Sequence, residues 1–332
     1  MRSQSFDIDN IYIDSIGVVV SKKEKEGPLG KYFTHYIDDY YFDCKTFEKA
    51  QIKLAKAAIC KALEKSFYSM KDIKLCIAGD LSNQLFSSTS AIKDEYFPYI
   101  GLYAACGSGI LSIILACIYI NSTGIDNALT FTSSHVCVSQ RQFRYPIEYG
   151  CLSYDTTTQT VTSATALILN KKPNSIKISK ATVGKVVDIL SKNVNDMGTC
   201  MSYAAIDTFK THLANNKESI DDYDLVVTGD LGEYGSKIFK EEIENIGINI
   251  TSKHIDCGES IYDKQKQHTN AGGSGPGCVM AVTFSYIMNL LIRRKVKKVL
   301  VIATGALHSQ ISYQQKETIP CIAHAIVLEG NY

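Results

Sequence analysis

The chain has 332 residues, a hydrophobic content of 45% and a formal net charge of +1 at pH 7. This length is enough to bury a sizeable core, either as one large α/β unit or as two domains. Because the charge is close to zero, the composition gives no electrostatic reason to expect nucleic acid or an acidic substrate as a partner.

Predicted helices and short apolar strands alternate along the chain. The first strand is predicted at 11–20 and the first long helix at 46–66, where apolar residues recur on one helical face. The other predicted strands are 74–78, 99–103, 128–132, 161–169, 176–183, 225–228, 299–303 and 322–329, and the other helices are 108–119, 201–215, 236–246 and 278–292. This alternation is typical of mainly parallel sheets that are covered on both faces.

The two halves of the chain repeat one pattern. The segment 63–81 matches the segment 213–231, so that the turn Gly79-Asp80-Leu81 recurs as Gly229-Asp230-Leu231. Further on, 105–109 recurs as 271–275 and 164–169 as 323–328. Several matches in the same order indicate a duplicated unit. We therefore divide the chain into an N-terminal half, 1–184, which carries Cys106 and a polar insertion at 133–160, and a C-terminal half, 185–332.

The helices predicted at 108–119 and 278–292 are apolar all round. No charged residue lies between Glu95 and Asp126, a length that meets the usual criterion for a membrane span. Gly101, Gly107 and Gly109 interrupt this run, and its helical part is too short to cross a bilayer. We therefore predict two central helices that are buried on every side, and no transmembrane segment.

The cysteines favour an intracellular protein. Their number, 11, is odd, several lie in apolar runs, and no signal-peptide pattern follows Met1. We expect a reducing compartment. Since the sequence has no Cys-x-x-Cys pair, a zinc site has little support, and we predict neither a metal nor a cofactor.

Cys106 is the strongest candidate for chemistry. It follows a predicted strand and directly precedes an apolar helix, in a turn of small residues. A helix N-terminus stabilises a thiolate, which is how a cysteine becomes a nucleophile. The alternative is a buried structural cysteine. The matching turn, 272–277, is rich in glycine and also opens a helix, so it could bind an anion, but it lacks the spacing of a nucleotide-binding motif.

Arginine and histidine side chains are further candidates. Arg141 and Arg144 could hold a carboxylate or phosphate in a bidentate manner, or could form ordinary surface ion pairs. His135 follows a predicted strand and could reach Cys106, and His254 and His324 are other candidates for a base or a ligand anchor. Each histidine could equally be a packing residue.

Together these features resemble the thiolase fold, and more specifically the stage V sporulation protein AD family of spore-forming bacteria. The segments that carry this resemblance are Gly27-Pro28-Leu29-Gly30, Ser133-Ser134-His135, the run from Arg141 to Gly150, Asp196-Met197-Gly198, Gly272-Gly273-Ser274-Gly275, Gln315-Lys316-Glu317 and Ile319-Pro320-Cys321-Ile322-Ala323-His324. They are spread over nearly the whole chain.

The resemblance implies an α/β, thiolase-like duplicated fold, with two similar halves in a layered αβαβα arrangement around two buried central helices. It also implies binding of dipicolinic acid, free or with calcium, for uptake into the developing spore. The expected partners are other stage V sporulation A membrane proteins. The expected location is cytoplasmic, at the surface of the forespore or spore inner membrane, and proteins of this fold commonly form homodimers.

The chain departs from the enzymes of this fold in its second half. Condensing enzymes and thiolases need a histidine there, with an asparagine or a second histidine, but the corresponding turns are Gly229-Asp230-Leu231 and Gly273-Ser274-Gly275. A thiolate without an acid–base partner is a poor acyl-transfer catalyst. We therefore expect a non-catalytic dipicolinate-binding protein, with an acyltransferase or condensing enzyme that uses Cys106 as the alternative. The expected ligand-binding residues are Cys106, His135, Arg141, Arg144, Asp230, Gly273, Ser274 and Gly275.

Overall fold

The computed structural model describes residues 4–143 and 154–332. The strands are β1 Ser5–Ser21, β2 Tyr36–Ile37, β3 Cys76–Asp80, β4 Tyr99–Gly101, β5 Asn127–Ser134, β6 Gln159–Thr160, β7 Ser163–Asn170, β8 Ile176–Val183, β9 Leu225–Thr228, β10 His254–Asp256, β11 Gly273–Ser274, β12 Lys298–Ala306 and β13 Cys321–Gly330. The α-helices are α1 Lys22–Lys25, α2 Phe47–Leu63, α3 Phe86–Ile92, α4 Ser108–Thr123, α5 Val136–Phe143, α6 Met197–Asn216, α7 Gly232–Asn245, α8 Cys257–Ile261, α9 Lys264–Gln267, α10 Pro276–Val282, α11 Met288–Ile292 and α12 Gln310–Gln314.

Most strands belong to one sheet in which the duplication is visible. Its order is β10-β9-β12-β13-β8-β1-β7-β5-β3-β4, with β2 beside β1. From β1 outward the first group runs β7, β5, β3, β4, and from β8 outward the second runs β13, β12, β9, β10. Corresponding neighbours have the same relative direction in both groups. The two groups are therefore two copies of one topology, joined by the antiparallel pair of β1 and β8.

The sheet is mixed, so the prediction of mainly parallel sheets is wrong. In each group the inner strands pair antiparallel, as β1 does with β7 and β8 with β13, while the outer pairs, such as β3 with β4 and β9 with β10, are parallel. Strand β8 follows β7 after a short turn and starts the second group of strands. The division at 184/185 stays a prediction, because the two groups form one continuous sheet.

Three hydrophobic cores give the molecule its layers. The central core contains α4 and α10–α11 and the inward side chains of both strand groups, for example Ile77 of β3 and Ile326 of β13. One outer core packs α2 on β3, β5 and β7, and the other packs α6 and α7 on β9, β12 and β13. Because successive strand residues point to opposite faces, Cys76 lies in an outer core while Ile77 lies in the central one. The predicted arrangement of layers around two central helices is confirmed.

Helix α4 is long and apolar enough to cross a membrane by length and composition, together with the turn before it. Its side chains Ile110, Ile113 and Ile114 are fully buried in the protein, and 67% of the apolar window is buried. Its counterpart, α10, continues through a π-helical turn, Thr283–Ile287, into α11. A helix covered by both strand groups needs an apolar surface on all sides, which explains the composition without a bilayer.

Candidate functional site

The two helix-opening turns meet at the N-terminal ends of the central helices. Cys106 lies in a 3₁₀ turn, Ala105–Gly107, which leads directly into α4. Ser274 ends β11, just before α10. The Cys106 Sγ and Ser274 Oγ atoms are 3.7 Å apart, and the backbone amide of Gly275 also faces the thiol. The Cys106 turn and the Ser274 turn, which correspond in the sequence repeat, therefore lie in contact in the structure.

Close backbone packing holds both turns in place. A Cβ atom at Gly305, near the end of β12, would lie 2.2 Å from the carbonyl oxygen of Ala104, so only glycine lets this strand approach the Cys106 turn. Gly275 has φ of +103°, and a Cβ there would lie 3.0 Å from Ser134 Oγ at the end of β5. Each turn is therefore fixed by a central strand of the sheet.

The Cys106 thiol is not activated. Burial, and secondly the nearby Asp230 carboxyl, raise its pKa above the ordinary value, and the contacts with Ser274 and Gly275 offset this only in part. A thiol in this environment is protonated at neutral pH. The expectation that the pKa of Cys106 is lowered is wrong, because burial and the Asp230 carboxyl raise it by more than the hydrogen bonds to the thiol lower it.

A cavity of about 370 Å³ opens beside Cys106 and Ser274. Helix α5, Tyr154 and the 157–160 segment form one wall, so the described parts of the predicted insertion line the site. The opposite wall comes from the 194–201 segment and from residues 306–314. The polar groups of the described lining are hydroxyls, amides, one thiol and one imidazole, from Tyr103, Cys106, Ser139, Gln140, Tyr154, Thr157, Thr158, Thr160, Asn195, Ser274, His308, Gln310, Tyr313 and Gln314.

Asp230 lies behind the cavity wall. It is fully buried with a positive φ of 68°, and its carboxyl oxygens have no partner in the described part of the chain apart from the adjacent Cys278 thiol. Burial, together with the charge of Asp256, raises the pKa of Asp230 well above its ordinary value, so the group is a neutral acid over an extended pH range. In the first half the matching Asp80 accepts hydrogen bonds from the amides of Ser82 and Ser88.

His135 and Arg141 are directed away from the cavity. The His135 Nε2 atom lies 2.8 Å from the Tyr40 carbonyl oxygen, and its Nδ1 accepts from the Cys137 amide at 3.2 Å. Arg141 is 59% exposed and forms an ion pair with Glu48 at 2.6 Å. Arg144 lies outside the described residues. Of the predicted set, only Cys106 and Ser274 line the cavity, while Gly273 and Gly275 lie on either side of Ser274.

Of the other two predicted histidines, His324 is buried and His254 is half-buried. His254 bonds Thr228 Oγ1 at 2.8 Å, and burial lowers its pKa to about 3. His324 accepts from the Gly184 amide, and burial lowers its pKa to about 4. Neither lines the cavity.

Sequence reasoning missed His308, which does line the cavity. It follows β12 much as His135 follows β5, and these two strands occupy equivalent places in the duplicated sheet. The repeat could have identified His308. His135 was chosen because it follows a strand that ends near Cys106, and the same reasoning applied to the equivalent strand of the second half leads to His308. Within residues 4–143 and 154–332, no group of three or more His, Cys, Asp or Glu side chains is placed to hold a metal ion.

Comparison with known proteins identifies the family. Residues 2–329 match the family described as Stage V sporulation protein AD. Over 319 residues the chain is 40% identical to Stage V sporulation protein AD of Bacillus subtilis (strain 168), covering 96% of this chain and 94% of that protein. The chain belongs to the stage V sporulation protein AD family.

The fold of this family member is shared with enzymes that resemble thiolases. A crystal structure of an OleA variant from Xanthomonas campestris matches with a TM-score of 0.64 and 14% identity, covering 98% of this chain and 99% of that one. The 3-oxoacyl-[acyl-carrier-protein] synthase III from Aquifex aeolicus VF5 matches with a TM-score of 0.57 and 14% identity, covering 96% and 99%. At this identity the likeness establishes the thiolase-like fold and nothing about activity.

The raised pKa of the Cys106 thiol predicts slow alkylation. With iodoacetamide near neutral pH, Cys106 should react at least about tenfold more slowly than Cys60, which is exposed on α2, because the thiolate is the reacting form. Peptide mass spectrometry after timed quenching measures both rates in one sample. The rate at Cys106 should keep rising with pH into the alkaline range, and a plateau near neutral pH together with a rate above that of Cys60 would contradict the assignment.

Proposed function

We propose that this family member binds dipicolinic acid in the cavity beside Cys106 and Ser274, as a non-catalytic protein needed for uptake of dipicolinate into the developing spore. The observation that carries the proposal is that a small cavity, lined by apolar side chains and several hydroxyl and amide groups, lies beside a protonated thiol without a histidine partner among the described residues. The arrangement supports holding a ligand better than it supports reacting with one.

The size and lining of the cavity suit a small, planar, oxygen-rich ligand. A volume of about 370 Å³ lies at the lower end of the range for small-molecule sites. Hydroxyl and amide donors lie around it, and the helices α4 and α10 point their N-termini toward Cys106 and Ser274. Helix N-termini favour anionic groups through their dipole, and in α10 only the dipole acts, because Gly277 already donates to Ser134 Oγ and Cys278 to the Gly275 carbonyl. A dicarboxylate on an aromatic ring presents acceptors at two edges, which matches donors on both sides of the cavity.

We further propose that the protein acts at the forespore or spore inner membrane, through other stage V sporulation A membrane proteins, and as a homodimer. The loops that supply Val194, Asn195 and the 306–314 lining also expose Leu190 and Ile311, at 75% and 72%. Exposed apolar side chains beside a ligand cavity favour docking of a partner that exchanges the ligand. For the dimer, strand β4 ends the sheet with one neighbour among the described strands, and Tyr96 is fully exposed beside it.

A second candidate function is acyl transfer by Cys106. The observation in its favour is that Cys106 lines a cavity at the start of a buried helix, in a fold shared with a 3-oxoacyl synthase. Against it, no histidine of the described chain contacts the thiol by hydrogen bond, and burial keeps the thiol protonated.

Dipicolinate should bind saturably to the purified protein in titration calorimetry at millimolar ligand or below. Replacing the two central donors in Cys106→Ala/Ser274→Ala should weaken binding by about tenfold or more, since each hydrogen bond contributes roughly 1 kcal/mol. The control Ser122→Ala removes an exposed hydroxyl of α4 that bonds the Ile118 carbonyl, and it should bind like wild type. Absence of saturable heat in the folded wild type would remove the proposal.

Incubation with acyl-CoA tests the second candidate function, acyl transfer by Cys106. If Cys106 attacks the thioester carbonyl, the acyl group transfers to sulfur, the CoA thiol leaves with the proton, and the intact mass rises by the acyl group. We expect no adduct on wild type. An adduct that is absent in Cys106→Ala would establish acyl transfer and overturn the non-catalytic assignment.

Tagged protein from sporulating cells should co-purify with other stage V sporulation A membrane proteins, identified individually by mass spectrometry. Leu190→Ser/Ile311→Ser should reduce their capture several-fold, while Phe67→Ser, an equally exposed apolar residue just beyond α2, should not. Light scattering of the purified protein should give twice the chain mass. Equal capture by both surface variants would reject the proposed docking face.

A further inference from the structure

The cavity contains no permanent charge among its described lining residues. Its lining includes no Lys, Arg, Asp or Glu from residues 4–143 and 154–332. A carboxylate that enters such a site loses its hydration, so a compensating positive charge matters to its affinity. Among the described lining residues, His308 is the side chain whose ordinary pKa lies near physiological pH.

His308 is built into the wall without a polar partner. It is 6% exposed, and its imidazole packs between the rings of Phe143 and Tyr313, with centroid distances of 6.3 and 6.2 Å. No hydrogen bond joins either ring nitrogen to the described residues, in contrast to His135, whose ring is bonded at both nitrogens. A buried imidazole with free nitrogens beside an open cavity is placed to bond a ligand.

We infer that His308 is the ionic anchor of the cavity, neutral in the empty protein and protonated when a carboxylate ligand binds. The inference rests on the proposed function and specifies how that site holds its ligand. Burial lowers the pKa of His308 in the free protein, and an adjacent carboxylate raises it, so binding takes up a proton. Affinity therefore rises as pH falls through the bound-state pKa, and it levels off below the free-state pKa.

Among the described residues, the groups that face His308 carry no charge that would oppose its protonation. The Cys106 turn contributes the Cys106 thiol and Tyr103, the wall opposite contributes Tyr154, and α12 contributes Tyr313. Burial raises the pKa of Cys106 and, to about 12, that of Tyr103, so both are neutral near pH 7. On α5, Arg141 is engaged with Glu48 outside the cavity, and Phe143 is the residue that touches His308.

Calorimetry in buffers of different ionisation enthalpy tests the inference. At about pH 7, dipicolinate binding should take up close to one proton, because neutral imidazole becomes imidazolium. His308→Gln should take up almost none, and its affinity should fall by about tenfold or more near pH 6 while approaching that of wild type near pH 8. The control His268→Gln changes an exposed histidine outside the cavity and should retain both the uptake and the pH dependence.

The outcomes separate the two proposals. Binding without proton uptake, or with uptake unchanged in His308→Gln, overturns the role of His308 and leaves dipicolinate binding in place. If dipicolinate does not bind, the proposed function fails, and His308 is tested by NMR titration of its imidazole in wild type with isophthalate and benzoate as probes. A rise in its pKa with either carboxylate supports the anchor, and no shift with either rejects it. The same NMR titration with dipicolinate decides the question if His308→Gln does not fold.

Discussion

The contact between the two helix-opening turns is the constraint around which the molecule is arranged. Both turns begin helices that are buried by strands of both groups, so the N–H groups at these helix ends need partners inside the protein. Gly277 donates to Ser134 Oγ and Cys278 to the Gly275 carbonyl. The two turns face each other, with Cys106 Sγ 3.7 Å from Ser274 Oγ and a cavity beside them. Neither half of the chain forms this site alone, and the pair of β1 and β8 joins the two halves into one sheet.

Divergence between the copies changes the surroundings of the Cys106 thiol. In the first half Asp80 bonds the backbone amides that follow β3, but in the second half Asp256, at the end of β10, bonds the amides of Leu231 and Gly232. Asp230 is thereby left without amide partners, as a buried acid that raises the pKa of Cys106. An acid–base partner would instead lower the pKa of the Cys106 thiol. The second copy therefore opposes the formation of a Cys106 thiolate.

The sequence was sufficient for features that depend on local pattern and on the repeat, and insufficient for those that depend on distant partners. Apolar runs and alternating residues located α4, β8 and β9, and the repeat predicted that the Cys106 and Ser274 turns would correspond. The sequence could not reveal the relative direction of neighbouring strands, since a buried apolar run looks the same in parallel and antiparallel pairs. His135 was selected for its position after a strand, but its orientation is set by the Tyr40 carbonyl, 95 residues away in the chain. His308 was missed although the repeat places it after β12 much as His135 follows β5, and only the folded chain shows that it packs against Phe143 of α5.

The neutral lining that the described residues give the cavity bears on how a proposed ligand would be released as well as on how it would be held. A permanently charged side chain in a buried wall must be desolvated and paired, and truncating or separating such a pair costs several kcal/mol, about 3–5 in known cases. Helix N-termini supply partial positive charge from backbone that is already fixed by packing, so they attract an anion without that requirement. The proposed imidazole anchor would add a full charge only while the anion is present. In the proposed site this arrangement would favour release as well as binding of a carboxylate, as the proposed exchange with a partner protein requires, whereas a tightly paired guanidinium would oppose release.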